Sequence, residues 1–121
     1  ERFHAMKFFN YVLERGGKVT LKPIEGPATE FKTPLKAFQA ALEHEQFITK
    51  SINDLMDLAI KENDHATKSF LEWYIDEQVE EEASVDKIVN QLKMVGDNGH
   101  GIMMIDRELG QRSYTPPATE E

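Results

Sequence analysis

Residues 69–92 constrain the fold of this chain most strongly, because an apolar helical stripe is interrupted there by polar side chains. At helical spacing, one face of the segment carries Leu71, Tyr74, Gln78, Glu81, Val85, Ile88 and Leu92. Both ends of that face are apolar, whereas Gln78 and Glu81 occupy its middle. An unpaired carboxylate in a protein core costs several kcal/mol. The pattern therefore predicts a long packed helix with a compensating group opposite its polar middle.

Length and composition limit the class of protein. A chain of 121 residues can form one sizeable core, and we expect a single bundle domain over residues 1–112 with a flexible tail over residues 113–121. Acidic residues outnumber basic ones by 22 to 14, which disfavours nucleic acid as a partner. No apolar run approaches the ~18 residues of a membrane span. The absence of Cys fits a reducing compartment, so we expect a cytoplasmic protein.

Helix signals divide most of the chain into four segments. Thr33 followed by Pro34 is typical of a helix start, and Asn63 with Asp64 predicts a tight break between two antiparallel helices. Residues 96–101 are predicted to form a loop. The predicted helices cover residues 1–15, 34–62, 65–95 and 102–109.

Residues 16–33 connect the first two helices and contain three Gly and two Pro. An extended connection of this length can span ~55 Å. That is enough to run beside a long helix, so that the next helix starts from the same end as the previous one. The sequence therefore predicts an all-α bundle with a long crossover.

Polar residues interrupt the apolar stripe of each long helix: Glu1 and His4 on the first, Glu45 on the second, and Gln78 with Glu81 on the third. None of these stripes contains a Lys or Arg that could compensate the carboxylates. A shared metal cation is the simplest remaining explanation, because carboxylate oxygens with one imidazole suit iron or manganese. Glu1 and His4 are three residues apart and so lie on one helical face. A two-metal site requires a bridging carboxylate together with terminal ligands.

Each interruption also has a purely structural explanation. The first pair fits a fraying helix end, and Glu45 fits a stripe that is shifted by one residue. The acid run Glu80–Glu82 fits a solvated face. Their coincidence on three helices favours the metal site.

Four short motifs resemble the non-haem ferritins of bacteria and archaea. They are ExxH at Glu1–His4, HEQ at His44–Gln46, EQVEEE at Glu77–Glu82 and LGQR at Leu109–Arg112. The stretch LEWYIDEQVEEE, which contains the third motif, is the most specific of the matches. The resemblance spans nearly the whole chain, from the family's second long helix to its short last helix. It implies a ferritin-like four-helix bundle with the first long helix missing, leaving three long helices and a short C-terminal one.

The resemblance implies an iron-storage protein with ferroxidase activity. In this family two Fe(II) ions are oxidised by O2 or peroxide, and the ferric product is stored as a mineral inside a cage of 24 identical subunits. It further implies that Glu1 bridges the two irons and that His4 completes the shell of the first. Glu45 and Glu81 would hold the second iron.

A third iron position is implied at Glu77 and Glu80, with Glu81 shared. Gln78 matches a glutamine that orients the site by hydrogen bonding. Trp73 matches an aromatic residue near the two irons and is a candidate redox neighbour, although a core packing role explains it equally well.

The family has another helix before the position of Glu1, which supplies a carboxylate to the first iron. We therefore expect a complementary first-helix segment as a partner. The alternative function is a truncated or split ferritin that serves as a structural cage component with impaired iron oxidation. An acidic helical interaction module without metal is a further alternative.

Overall fold

The computed structural model describes residues 1–113 and 115 and contains four α-helices, with no strand among the described residues. This confirms the predicted all-α class. The tail predicted over residues 113–121 lies for the most part outside the described residues. The helices are α1 (Arg2–Glu14), α2 (Pro34–Lys61), α3 (His65–Val95) and α4 (Gly99–Gly110).

The predicted capping residues determine where α2 and α3 begin. The Thr33 hydroxyl accepts a hydrogen bond of 3.1 Å from the backbone N–H of Lys36, and Pro34 is the first helical residue. Asn63 takes a positive φ of 55°, and the Asp64 carboxylate then caps α3. Three residues outside the helices, Glu62 to Asp64, thus suffice to reverse the chain between the two longest helices.

Helix α4 begins three residues earlier than the sequence predicted. Asn98 caps it by accepting a hydrogen bond of 3.0 Å from the backbone N–H of Gly101. A Cβ atom at Gly101 would lie only 2.7 Å from Val95 Cγ1, so the glycine lets α4 approach the end of α3. The loop predicted over residues 96–101 is therefore wrong for Gly99–Gly101, because the cap and this close approach outweigh the low helix propensity of glycine.

The core lies mainly between α2 and α3, and α4 closes one end of it. The buried positions of α3 are those of the predicted stripe, with Val89 in addition, while Glu81 and Val85 remain half-buried. On α2 the buried residues are Ile52, Met56 and Ala59, whereas Leu55 is exposed. One cluster joins Ile52, Met56, Ala59, Leu71 and Tyr74; the other joins Ile88, Leu92 and Ile105.

Helix α1 packs along the first half of α3 through aromatic contacts. Phe8 stacks on Tyr74 with a centroid separation of 4.3 Å, and Tyr11 stacks on Phe70 at 3.8 Å. Arg15 pairs with Asp64 at the start of α3. These contacts make α1 antiparallel to α3 and therefore parallel to α2, as the long crossover predicted.

None of the helices in the described part of the chain is both long enough and apolar enough to cross a membrane.

Candidate metal centre

His4 lies at the centre of a cluster of carboxylates between α1 and α3. Its Nδ1 is 3.6 Å from Glu1 Oε2, and its Nε2 is 3.7 Å from Glu77 Oε2 and 3.8 Å from Glu81 Oε1. The spacings three apart on α1 and four apart on α3 place each pair on one helical face. Packing α1 against α3 therefore brings together four residues that the sequence predicted to share a site.

Glu1, His4 and Glu81 form the tightest group, because each offers a ligand atom within 4.8 Å of the other two. Metal–ligand bonds of roughly 2.0–2.2 Å separate ligand atoms on opposite sides of an ion by up to ~4.4 Å. Small side-chain movements would therefore let one ion contact all three. Two carboxylates and an imidazole suit iron or manganese better than a soft metal.

Glu81 is crowded by other carboxyl groups. Burial raises the pKa of Glu81 to about 7, and the negative charges of Glu1 and Glu45 contribute further, as does a hydrogen bond between the Glu45 and Glu81 side chains. Such crowding favours the neutral carboxylic acid when no cation is near. A bound metal ion reverses that preference, so this cluster is electrostatically suited to a cation.

Gln78 holds the Glu45 side chain from within the core. It is only 5% exposed, and its Nε2 donates hydrogen bonds to the Glu45 backbone oxygen at 3.2 Å and to Glu45 Oε2 at 3.3 Å. These contacts hold the Glu45 carboxylate on the side of α2 that faces α3. The orienting role that the family resemblance implies for Gln78 stays a prediction.

Two aromatic residues of α3 surround His4. The Trp73 ring meets the imidazole edge to face, with centroids 5.3 Å apart, and the Lys7 ammonium lies 4.1 Å from the Trp73 centroid. The Tyr74 hydroxyl donates a hydrogen bond of 2.7 Å to the His4 carbonyl oxygen. Burial raises the pKa of Tyr74, which keeps its phenol protonated as a donor.

Glu80 is exposed and stands apart from the tight group. With Glu77 and Glu81 it lines a surface cavity of 340 Å³, which Arg112 also borders. The three carboxylates predicted for a third iron position thus meet at one cavity. His44, the first residue of the HEQ motif, is exposed.

Sequence reasoning missed Thr49 and Glu82, which adjoin Gln78. The Gln78 Nε2 also donates to Thr49 Oγ1 at 3.2 Å, and the Thr49 hydroxyl donates a short hydrogen bond to Glu82. A signal was present, since Thr49 lies one helical turn after Glu45. Glu82 was hidden in an acid run that resembles a solvated face.

Comparison with known sequences matches this chain to a family model along most of its length. The model for the ferritin-like domain covers residues 1–95. A bacterial non-heme ferritin of Staphylococcus aureus is 37% identical over 114 residues, which are 94% of this chain and 69% of that protein. The Staphylococcus haemolyticus protein of the same name is 40% identical over the same shares of both chains.

Solved structures of an archaeal ferritin share the fold. A closed form of the Archaeoglobus fulgidus ferritin, engineered by site-directed mutagenesis, superposes with a TM-score of 0.91 at 46% identity. The match covers 93% of this chain and 69% of that one. The open-pore ferritin of the same organism gives a TM-score of 0.90 at 46% identity and is covered over 68% of its length by 92% of this chain. The chain described here therefore belongs to the ferritin family.

Proposed function

We propose that this protein takes up Fe(II) as its substrate, oxidises it at the carboxylate cluster and stores the product as a ferric mineral. The observation that carries this proposal is the grouping of Glu1, His4 and Glu81 within 4.8 Å of one another. Glu45 is held on the side of α2 that faces them by its hydrogen bond with Gln78. A structural acidic face would leave its carboxylates apart and solvated. Here Glu1 and Glu81 converge on His4, and no Lys or Arg of the described residues forms an ion pair with either carboxylate.

The family resemblance implies two iron positions, with Glu1 between them. His4 and Glu1 would hold the first, while Glu45 and Glu81 would hold the second. Each Fe(II) releases one electron, so two ferrous ions reduce one O2, which takes up two protons to become hydrogen peroxide. Anionic oxygen ligands favour the product, because Fe(III) carries one more positive charge than Fe(II). Glu77 and Glu80 would offer a third position beside the pair.

Storage requires an enclosed space, and we propose the homo-oligomeric cage of 24 subunits that the family resemblance implies. The superposition on the Archaeoglobus fulgidus ferritins supports an equivalent shape of the subunit. A cytoplasmic location and a complementary first-helix segment remain predictions of the sequence.

Stopped-flow oxidation of Fe(II) tests the proposal, with two irons supplied per chain under air. We expect a fast phase in the unaltered protein and its loss in the double variant Glu45→Gln, Glu81→Gln. Glu43→Gln is the matched control, because Glu43 is an exposed acid on the same helix as Glu45.

Three outcomes separate the hypotheses. Binding of Fe(II) in the absence of O2, together with a fast oxidation phase under air, supports the ferroxidase. Binding that depends on Glu45 and Glu81 but shows no fast phase favours the structural cage component with impaired oxidation. An absence of binding, or equal binding in the double variant, overturns the proposed metal centre and leaves the acidic interaction module.

A further inference from the structure

We propose that Thr49 and Glu82 are positioning residues of the metal centre, acting through Gln78 on the Glu45 carboxylate. This inference rests on the proposed function. The four residues form one hydrogen-bonded series that crosses between α2 and α3: Glu82 accepts from Thr49, Thr49 accepts from Gln78, and Gln78 donates to Glu45. Glu45 is one of the two carboxylates proposed to hold the second iron.

The direction of each hydrogen bond follows from the chemistry of the groups. A threonine hydroxyl has one hydrogen and two lone pairs, and a carboxylate can only accept. Glu82 therefore takes the hydroxyl hydrogen of Thr49. The Thr49 oxygen is left as an acceptor, and the only complementary end of the Gln78 amide is its NH2 group.

This choice of amide end matters because the two ends of a glutamine side chain have nearly the same size. With Nε2 toward α2, Gln78 donates to the Thr49 hydroxyl, to the backbone oxygen of Glu45 and to Glu45 Oε2. A flipped amide would turn its carbonyl oxygen toward three acceptors. Without Glu82, the Thr49 hydroxyl could rotate to donate to that oxygen, and its preference for one amide end would vanish.

The position of the series in the fold suits this role. Thr49 lies one turn after Glu45 on α2, while Gln78 and Glu82 lie one turn apart on α3, so all four meet across one interface. Thr49 and Glu82 border a cavity of 370 Å³ whose described lining comes from α2 and α3. The series therefore runs from the cavity, at Thr49 and Glu82, to the proposed metal ligand Glu45.

Groups that orient metal ligands typically change metal affinity 10- to 100-fold when they are mutated. We expect Thr49→Val, which keeps the size and removes the hydroxyl, to weaken Co(II) binding about 10-fold. Thr49→Ser, which restores the hydroxyl, should recover most of the affinity. Co(II) is used because its visible absorption bands report ligand geometry and no O2 chemistry is needed.

Titration of the full chain with Co(II), followed by absorbance, tests the inference. Ser51→Ala is the control for loss of a hydroxyl on α2, because the Ser51 hydroxyl bonds only to the Phe47 carbonyl in the described structure. Glu82→Ala should weaken binding more than Asp76→Ala, which removes one negative charge from an exposed position of the same helix. Thr49→Ala is a second variant without the hydroxyl, should Thr49→Val fold poorly.

Weaker binding and shifted bands in Thr49→Val or Thr49→Ala, with recovery in Thr49→Ser, support the inference. Affinities within twofold of the unaltered protein in both variants overturn it, and so does a Thr49→Ser variant as weak as Thr49→Val. If the unaltered protein binds Co(II) through Glu45 and Glu81 but ignores Thr49, only this inference fails. If the unaltered protein does not bind Co(II), the proposed function fails as well.

Discussion

The Tyr74 hydroxyl donates a hydrogen bond of 2.7 Å to the backbone carbonyl oxygen of His4, across the interface between α3 and α1. Tyr74 is buried in the core, and its ring also stacks on Phe8 one turn further along α1. A single core residue of α3 thus fixes both the depth and the register of α1. The hydrogen bond is made to His4, whose imidazole belongs to the carboxylate cluster.

We expect Tyr74→Phe to lower the free energy of unfolding by about 1 kcal/mol, because one buried hydrogen bond is lost while the ring remains. The variant should also bind Co(II) more weakly, since His4 loses its anchor to α3. Urea denaturation and a Co(II) titration measure the two effects. Tyr11→Phe is the matched control: it removes a hydroxyl that bonds to Thr67, remote from the cluster. An equal loss of metal affinity in both variants would contradict the positioning role of Tyr74.

Much of the fold could be predicted because the long helices carry strong local signals. The stripe of α3 identified its buried face, and Thr33, Pro34, Asn63 and Asp64 marked helix ends where caps indeed form. These signals act over one or two turns and depend little on partners. The polar middle of the stripe was also informative, because few structures tolerate buried polar side chains without a compensating partner.

The remaining features depend on contacts between elements that local patterns do not encode. Leu55 and Met56 are adjacent apolar residues that fit the stripe of α2 equally well in the sequence, and only the rotation of α2 against α3 decides that Met56 is the buried one. The start of α4 depends on how closely Gly101 approaches Val95. Glu82 looks like any solvated acid until Thr49 is placed opposite it. In each case the deciding partner is distant in sequence or lies across a packed interface.

Glu81→Gln should separate stability from metal binding. Burial and the charges of Glu1 and Glu45 disfavour the ionised Glu81, so a neutral amide of the same shape removes an unfavourable charge. Without metal, we expect the free energy of unfolding of the variant to be about 1 kcal/mol higher than that of the unaltered protein at pH 8. With Co(II) the order should reverse, because the unaltered protein gains stability from binding and the variant does not. Thermal melts with and without Co(II) measure both; a variant that is stabilised by Co(II) as much as the unaltered protein would refute the assignment of Glu81 as a ligand.

Asp64 should make stability depend on pH in the acid range. Hydrogen bonds from Thr67, from its side chain and then its backbone N–H, lower the pKa of Asp64, and the nearby Arg15 guanidinium lowers it further. Because the pKa is lower in the folded state, the ionised group stabilises the fold above its unfolded pKa of ~3.9. That stabilisation is lost as the pH falls through the folded pKa.

Asp64→Asn keeps a capping oxygen but cannot ionise, so its stability should fall less steeply between pH 5 and pH 2. Urea midpoints across that range measure the slope. Asp57→Asn, at an exposed position of α2, should retain the slope of the unaltered protein. Parallel pH profiles for the unaltered protein and Asp64→Asn would show that this carboxylate does not contribute.

The packing of α4 on α3 should depend on the absence of a side chain at Gly101. A Cβ there would lie 2.7 and 2.8 Å from Val95 side-chain atoms, closer than real contacts allow, so α4 must shift. Overpacking of this kind costs about 1–3 kcal/mol, and we expect Gly101→Ala to lower the free energy of unfolding by that amount. Gly99→Ala is the matched control, because nothing lies within 4 Å of a Cβ at Gly99. Both substitutions gain helix propensity in the same first turn, so the difference between their urea midpoints isolates the clash with Val95. A Gly101→Ala protein as stable as Gly99→Ala would mean that α4 does not need this close approach, and the early start of the helix would then depend on the Asn98 cap alone.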